Sequence, residues 1–139
     1  MMSINLWAVL VCGIAAMAVG FVWYGPLFGK TWMKMMGADT MSAAQKEAMK
    51  KSMGAMYFMQ FVMSLITAGI LSYFISSSTT MSGVAIAICV WFGFVMTTEA
   101  GAALWSGKPK KVAWQMFLIS ASGALVTFIV FGLILSAWK

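Results

Sequence analysis

Residues 83–105 read GVAIAICVWFGFVMTTEAGAALW, an apolar run broken by one carboxylate, Glu99, with two threonines just before it. A hydrocarbon layer about 30 Å thick is crossed by about 20 residues of helix. This stretch has that length, and three others match it, at about 4–24, 55–75 and 113–137. Backbone polar groups in lipid must be satisfied within the segment, which makes each run a helix. The spacing predicts an all-α, polytopic membrane protein with four transmembrane helices in a single membrane domain, 1–139.

Composition points the same way. Of 139 residues, 63% are hydrophobic and 9% are charged, and the mean hydropathy is +0.94. A soluble domain carries roughly 25% charged residues. This chain has too little polar surface to cover itself in water, so its first partner is the lipid bilayer. The net charge of +6 comes from lysines in short connections beside apolar spans, a pattern that serves topology and leaves no basic groove for nucleic acid. Cys12 and Cys89 fall inside spans, which excludes a disulfide framework. The N-terminus lacks the charged segment of a secretory signal, so the first run reads as a retained helix.

Lysine placement orients the chain. Lys30, Lys34, Lys46, Lys50 and Lys51 lie in the first connection and Lys108, Lys110 and Lys111 in the third. The second connection has none, and the tail has Lys139. By the positive-inside rule the two basic loops are cytoplasmic and both termini lie outside. Trp7 and Trp138 then mark the outer interface, and Trp23, Tyr24, Trp105 and Trp114 the inner one. Trp91, near mid-span, is the exception.

The first connection has structure of its own. In WYGPLFGKTW (23–32), Pro26 lacks a backbone donor and is expected to break the first helix at Gly25-Pro26. Trp23, Tyr24, Pro26, Phe28 and Trp32 then form an interfacial, lipid-facing amphipathic segment, with Lys30 and Lys34 reaching headgroups. Ser42 and Gln45 have capping-box spacing and open a helix that runs through Gly54 into the second span. Both basic loops begin Trp-x-Gly with a proline close behind, at Trp23-Tyr24-Gly25-Pro26 and Trp105-Ser106-Gly107-Lys108-Pro109. Duplicated helical hairpins would explain this, and so would ordinary loop chemistry.

Small residues recur every four positions. Ala8, Cys12, Ala16 and Gly20 line the first span; Ala85, Cys89, Gly93, Thr97 and Gly101 line the third. Such ridges let helix backbones approach closely in lipid, and a packing role for both cysteines follows. On a uniform helix Glu99 points about 160° from Thr97 and Gly101, so it faces a different neighbour from the ladder. Gln60 lies at a similar depth and Gln115 nearer the surface, which makes Glu99, Gln60, Gln115, Thr97 and Thr98 a candidate intramembrane polar layer, together with Ser64. Three readings of Glu99 stand open. It binds a proton or cation, it ties helices together through a glutamine or carbonyl, or it snorkels toward the basic loops. A lone carboxylate makes a poor proton relay, although an oligomer could assemble several into a ring.

The 15 methionines, including Met49, Met53, Met56 and Met63 in a seven-residue repeat whose gap Gln60 fills, invite a copper reading. With histidine absent, adaptable packing explains them better. No catalytic residue is assigned: there is no histidine for a nucleophile–base pair and no second intramembrane acid. No metal or cofactor is implied. A lipid-acting enzyme using Glu99 and loop lysines is the residual catalytic alternative.

WYGPLFGKTWM (23–33), the basic connection and WFGFVMTTEAGAALWSGKPKK (91–111) together resemble a widespread bacterial four-helix membrane family catalogued only as a domain of unknown function. The resemblance implies one four-helix domain and supplies no activity. The functional expectation is a structural or accessory subunit without a catalytic site, assembling through its small-residue faces as a homo-oligomer or with a membrane-protein partner. The alternative is a small proton- or cation-coupled transporter or channel that uses Glu99.

Overall fold

Asn5 opens the first helix: its Oδ1 accepts from the Trp7 and Ala8 amides at 3.0 and 3.3 Å, pairing two donors that a helix start leaves free. The computed structural model describes residues 4–138, apart from the Asp39 side chain, and no strand occurs among them. Helix α1 (Leu6–Val22) continues as a π-helical turn, Trp23–Leu27. A short α2 (Gly29–Met35) and a 3-10 turn (Ala38–Thr40) lead into α3 (Ala43–Ser77). The third span is built from α4 (Gly83–Val90), a second π-helical turn (Trp91–Met96) and α5 (Thr97–Leu104), and α6 comes last (Lys110–Ala137). Four stretches, Leu6–Leu27, Ala43–Ser77, Gly83–Leu104 and Lys110–Ala137, are long and apolar enough to cross a membrane. The chain is an all-α membrane protein of four spans. Lys139 lies outside the described residues.

Local chemistry accounts for most boundaries. The Ser42 capping box is present: the Gln45 amide donates to Ser42 Oγ at 3.2 Å, and the Ser42 amide donates to Gln45 Oε1 at 2.9 Å. Ser82 caps α4 through the Ala85 amide at 3.2 Å. Pro26 does not break the first span. The helix widens instead, and the Phe28 amide donates across a π-type turn to the Trp23 carbonyl at 3.0 Å. The wider turn absorbs the missing proline donor, and the chain reverses only at Phe28. There α2 folds back so that Phe28 packs on Trp23 and Trp32 meets Tyr24 edge-on, with ring centroids 5.2 and 4.9 Å apart.

The core occupies one end of the bundle. Ala8, Val9 and Cys12 of α1, Ala68, Leu71 and Ile75 of α3, Ile86 and Ala87 of α4, and Phe128, Phe131 and Leu135 of α6 bury one another there. This is the end that carries the α3–α4 loop. At the lysine-rich end the bundle opens. From Ala43 to Met63, α3 buries no residue, and α5 buries none either. At 1.5 Å per residue α3 is about 52 Å long, and its first half stands away from the others.

Helix α6 is the common neighbour, packing on α1, α4 and α5. Its tightest contact is with α4, where two glycines let the backbones touch. A Cβ at Gly132 would lie 2.8 Å from Val84 Cα and 2.9 Å from the Gly83 carbonyl, and one at Gly83 would lie 3.0 Å from the Gly132 carbonyl. Lipid gives helices little reason to associate except such close approach. Gly132→Ala should therefore destabilise the protein in detergent by about 1–3 kcal/mol, because backbone cannot move aside as a side chain can. Gly69→Ala, where nothing lies within 4 Å of the new methyl, should be neutral or gain up to about 1 kcal/mol from helix propensity. Thermal unfolding of the two variants side by side tests the difference.

Candidate functional site

The open half of the bundle forms a half-open cavity of about 1020 Å³ between the end of α1, the middle of α3, α5 and α6. Phe128 and Phe131 form its floor against the core, and Glu99 stands in its wall with Tyr24, Gln60, Ser64, Ser120 and Thr127. A smaller cavity of about 310 Å³, lined by Trp32, Ser106 and Lys108 among others, lies on the loop side of the same wall. Glu99 and Ser120 line both. The carboxylate thus stands at the junction between a loop-side vestibule and an intramembrane chamber.

Glu99 reaches this position through the second π-helical turn. The inward face of α4 is carried by Gly83, Ile86, Ala87 and Val90. A uniform α-helix would continue that face through Thr97 and Gly101. The π-helical turn inserts the equivalent of one extra residue and rotates the remainder of the span by about 100°. The inward positions become Trp91, Val95, Glu99 and Ala103. Thr97 and Thr98 are turned to the other side, their hydroxyls donating back to the Gly93 and Phe94 carbonyls of their own helix. Gln115 is likewise exposed and lines neither cavity. The expected polar layer is corrected accordingly: Glu99, Gln60 and Ser64 share a wall, while Thr97, Thr98 and Gln115 turn away from it.

Two tryptophans hold this wall to α6. The Trp23 indole donates to the Ile119 carbonyl at 2.8 Å and the Trp91 indole to the Ala121 carbonyl at 3.0 Å. The two acceptors are two residues apart, about 200° round α6, so the helix is gripped from two sides. Both indoles sit at the first residue of a π-helical turn that opens Trp-aromatic-Gly: Trp23-Tyr24-Gly25 and Trp91-Phe92-Gly93. The structural counterpart of the Trp23 motif is therefore at Trp91. Trp105 instead lies in an exposed turn.

Trp23, expected as a lipid-facing anchor, turns inward, while Tyr24 stays exposed at the cavity's edge. Trp23 is half-buried over Gly123, and Tyr24 lines the main cavity together with Ser120 and Glu99. Trp32 lines the vestibule, while Pro26 and Lys30 are exposed and Phe28 packs on Trp23. Among the ladder residues, Ala8 and Cys12 are buried in the core, Ala16 packs against it and Gly20 lines the main cavity. Cys89 and Gly93 lie on the exposed face of the third span, and nothing stands within 4 Å of a methyl placed at Gly93 or Gly101. Cys89 precedes the turn and already lies about 120° round α4 from Gly83, and the rotation beyond it keeps Gly101 off the contact, so in this helix the intrachain contact falls on Gly83, not on the ladder. Tyr24, Ser120 and Thr127 carry no signal in the sequence that would place them here, since a hydroxyl on an apolar helix bears no mark of the face it occupies.

Among the described residues no hydrogen bond joins Glu99 to Gln60 or Gln115, and no group of three His, Cys, Asp or Glu is placed to hold a metal ion. The arrangement offers one carboxylate among hydroxyls, an amide and aromatic rings, in a chamber large enough for a small molecule. The fold and site together define a four-span membrane protein with an acidic intramembrane cavity. Over residues 7–136 the chain belongs to the family described as Protein of unknown function (DUF1761). No curated protein and no solved structure matches it.

The grip of Trp23 on α6 depends on Gly123, where a Cβ would lie 2.7 Å from the indole Cδ1. Gly123→Ala should lower stability by about 1–3 kcal/mol through this clash. Because the obstructing group is a single side chain, most of that loss should vanish when Gly123→Ala is made in a Trp23→Ala background. A double-mutant cycle on unfolding free energies reads the coupling.

Proposed function

We propose that this protein is a small cation- or proton-coupled transporter or channel, not an enzyme, and that Glu99 is the group that holds the ion. The observation that carries the reading is the position of Glu99 in the wall shared by the two cavities. Ionisable side chains are rare in membrane spans because each costs about 2.5–3.5 kcal/mol on insertion scales, and they mark pathways and binding sites. A carboxylate serving only to tie helices would sit in a dry hydrogen bond. This one faces open volume on both sides. The concentration of lysines at the loop end supports a topology with that end, and the vestibule, in the cytoplasm of a bacterial inner membrane.

Purified protein in proteoliposomes should pass protons or a monovalent cation down an imposed gradient. Glu99→Gln should abolish that flux with little change in unfolding temperature. Flux that survives the substitution removes the carboxylate from the mechanism, and the absence of any flux in the parent removes the reading.

A second reading, compatible with the first, is assembly through the exposed face of the third span. Cys89, Gly93 and Gly101 carry small side chains there and find no partner within the chain, which suits close approach of a second copy or another membrane protein. Cys89 is exposed and Cys12 buried. Mild oxidation in native membranes should therefore yield a Cys89-linked dimer if two copies meet on this face, and Cys89→Ser should eliminate it. Native mass spectrometry that finds only monomers would exclude self-assembly.

A further inference from the structure

With Glu99 read as a cation site, a reading on which this inference rests, the remaining question is which cation the chamber fits. We propose that the occupant is a hydrophobic organic cation with a single positive charge, of the quaternary ammonium or phosphonium type, rather than an inorganic ion.

Size comes first. A chamber of about 1020 Å³ lies at the upper end of small-molecule pockets, roughly 300–1,000 Å³. A bare alkali cation would leave nearly all of it to be filled by something else. Charge comes second. Among the described residues, Glu99 is the one charged side chain in the lining of the main cavity, and Lys108 belongs to the vestibule. One fixed negative charge balances one positive charge. A divalent ion wants several anionic oxygens, and none stands beside Glu99 among the described residues.

The lining then decides between organic and inorganic. Trp23, Tyr24, Tyr57 and Phe21 present aromatic surface to the cavity that the single carboxylate lines, above a floor of buried Phe128 and Phe131. Ring faces attract cations whose charge is spread over a weakly hydrated surface, and that attraction strengthens when water is excluded. Met17 and Met63 add flexible, polarisable walls that adjust to different shapes. The wall is also pre-set. Trp23 is held by its bond to Ile119 and Tyr24 by its edge-on contact with Trp32, so little ordering remains to be done on binding.

Access fits the same class. Phe21 is 76% exposed and Tyr57 56% exposed, yet both line the cavity, so it opens at the surface beside them, in the apolar belt of α1 and α3. A hydrophobic cation concentrates in that zone of a bilayer, whereas a hydrated metal ion is excluded from it.

The test uses the full-length protein in lipid nanodiscs, with tetraphenylphosphonium as probe and empty nanodiscs subtracted. Equilibrium dialysis should show saturable binding of about one probe per chain, weakened at least tenfold by Glu99→Gln and retained in Glu99→Asp, which keeps the charge. Tyr57→Leu, which keeps apolar bulk and removes a ring at the mouth, should weaken binding about two- to fivefold. Saturable binding that is unchanged in Glu99→Gln would overturn the proposal, since the probe would then sit elsewhere. No saturable binding, together with Glu99-dependent flux of protons or sodium in proteoliposomes, would overturn the organic class and leave the cation site standing. Failure of both assays would overturn both. Equal unfolding temperatures of parent, Glu99→Gln and Glu99→Asp make each outcome attributable to the carboxylate.

Discussion

Helices surrounded by lipid are not driven together by water, so a four-helix bundle is held by how closely its backbones approach and by the hydrogen bonds that cross between them. In this chain both resources converge on α6. Gly132 takes the α4 backbone at contact distance near one end. Further along, Ile119 and Ala121 give carbonyl oxygens to the Trp23 and Trp91 indoles. Gly123 leaves room for the first of those rings. Helices α1, α4 and α5 pack on that post, α3 packs mainly on α1, and Asn5 adds a small tie just beyond Gly132 by donating to the Trp138 carbonyl at 3.4 Å.

The cavity arises from an imbalance in that arrangement. The packed core ends near Ser64 on α3, and the rest of that helix toward Ala43 contributes no buried residue. With α3 disengaged, the inner faces of α1 and α5 have no apolar partner across from them, and space remains. Two π-helical turns border this space. Such turns give up regular i→i−4 bonding, a local cost that structures tend to retain where a site is built. Each turn here brings a tryptophan onto α6, and the second also rotates Glu99 to the inside. The geometry of the bundle and the placement of its one intramembrane acid therefore have a common origin.

The spans and caps are legible in the residues. Length and hydropathy alone reveal four spans, because the thickness of a bilayer leaves few other uses for runs of such size. The Ser42 capping box is readable for the same reason that it works: its donors and acceptors are neighbours in sequence. Depth along the spans is enough to pair Glu99 with Gln60 and Ser64. Depth without knowledge of face also assigns Thr97, Thr98 and Gln115 to the site, and Trp23 to the lipid, and there it misleads. Pro26 reads as a break because a proline inside an α-helix usually is one, whereas a π-helical turn tolerates it.

By itself, then, the sequence determined the solvent of this protein, the number and length of its spans, its helix caps and the end at which its charge collects. Each of these depends on composition or on contacts between near neighbours in the chain. The tertiary structure alone decided which face of each span looks inward. A single π-helical turn shifts the helical phase by about 100°, enough to bring Glu99 from the outer side of the span toward the inner one. Whether such a turn forms depends on the gain it brings elsewhere, here an indole hydrogen bond to a carbonyl 30 residues away in sequence. No local pattern encodes that gain, so the position of Glu99 between two cavities became visible only once α6 was in place beside it.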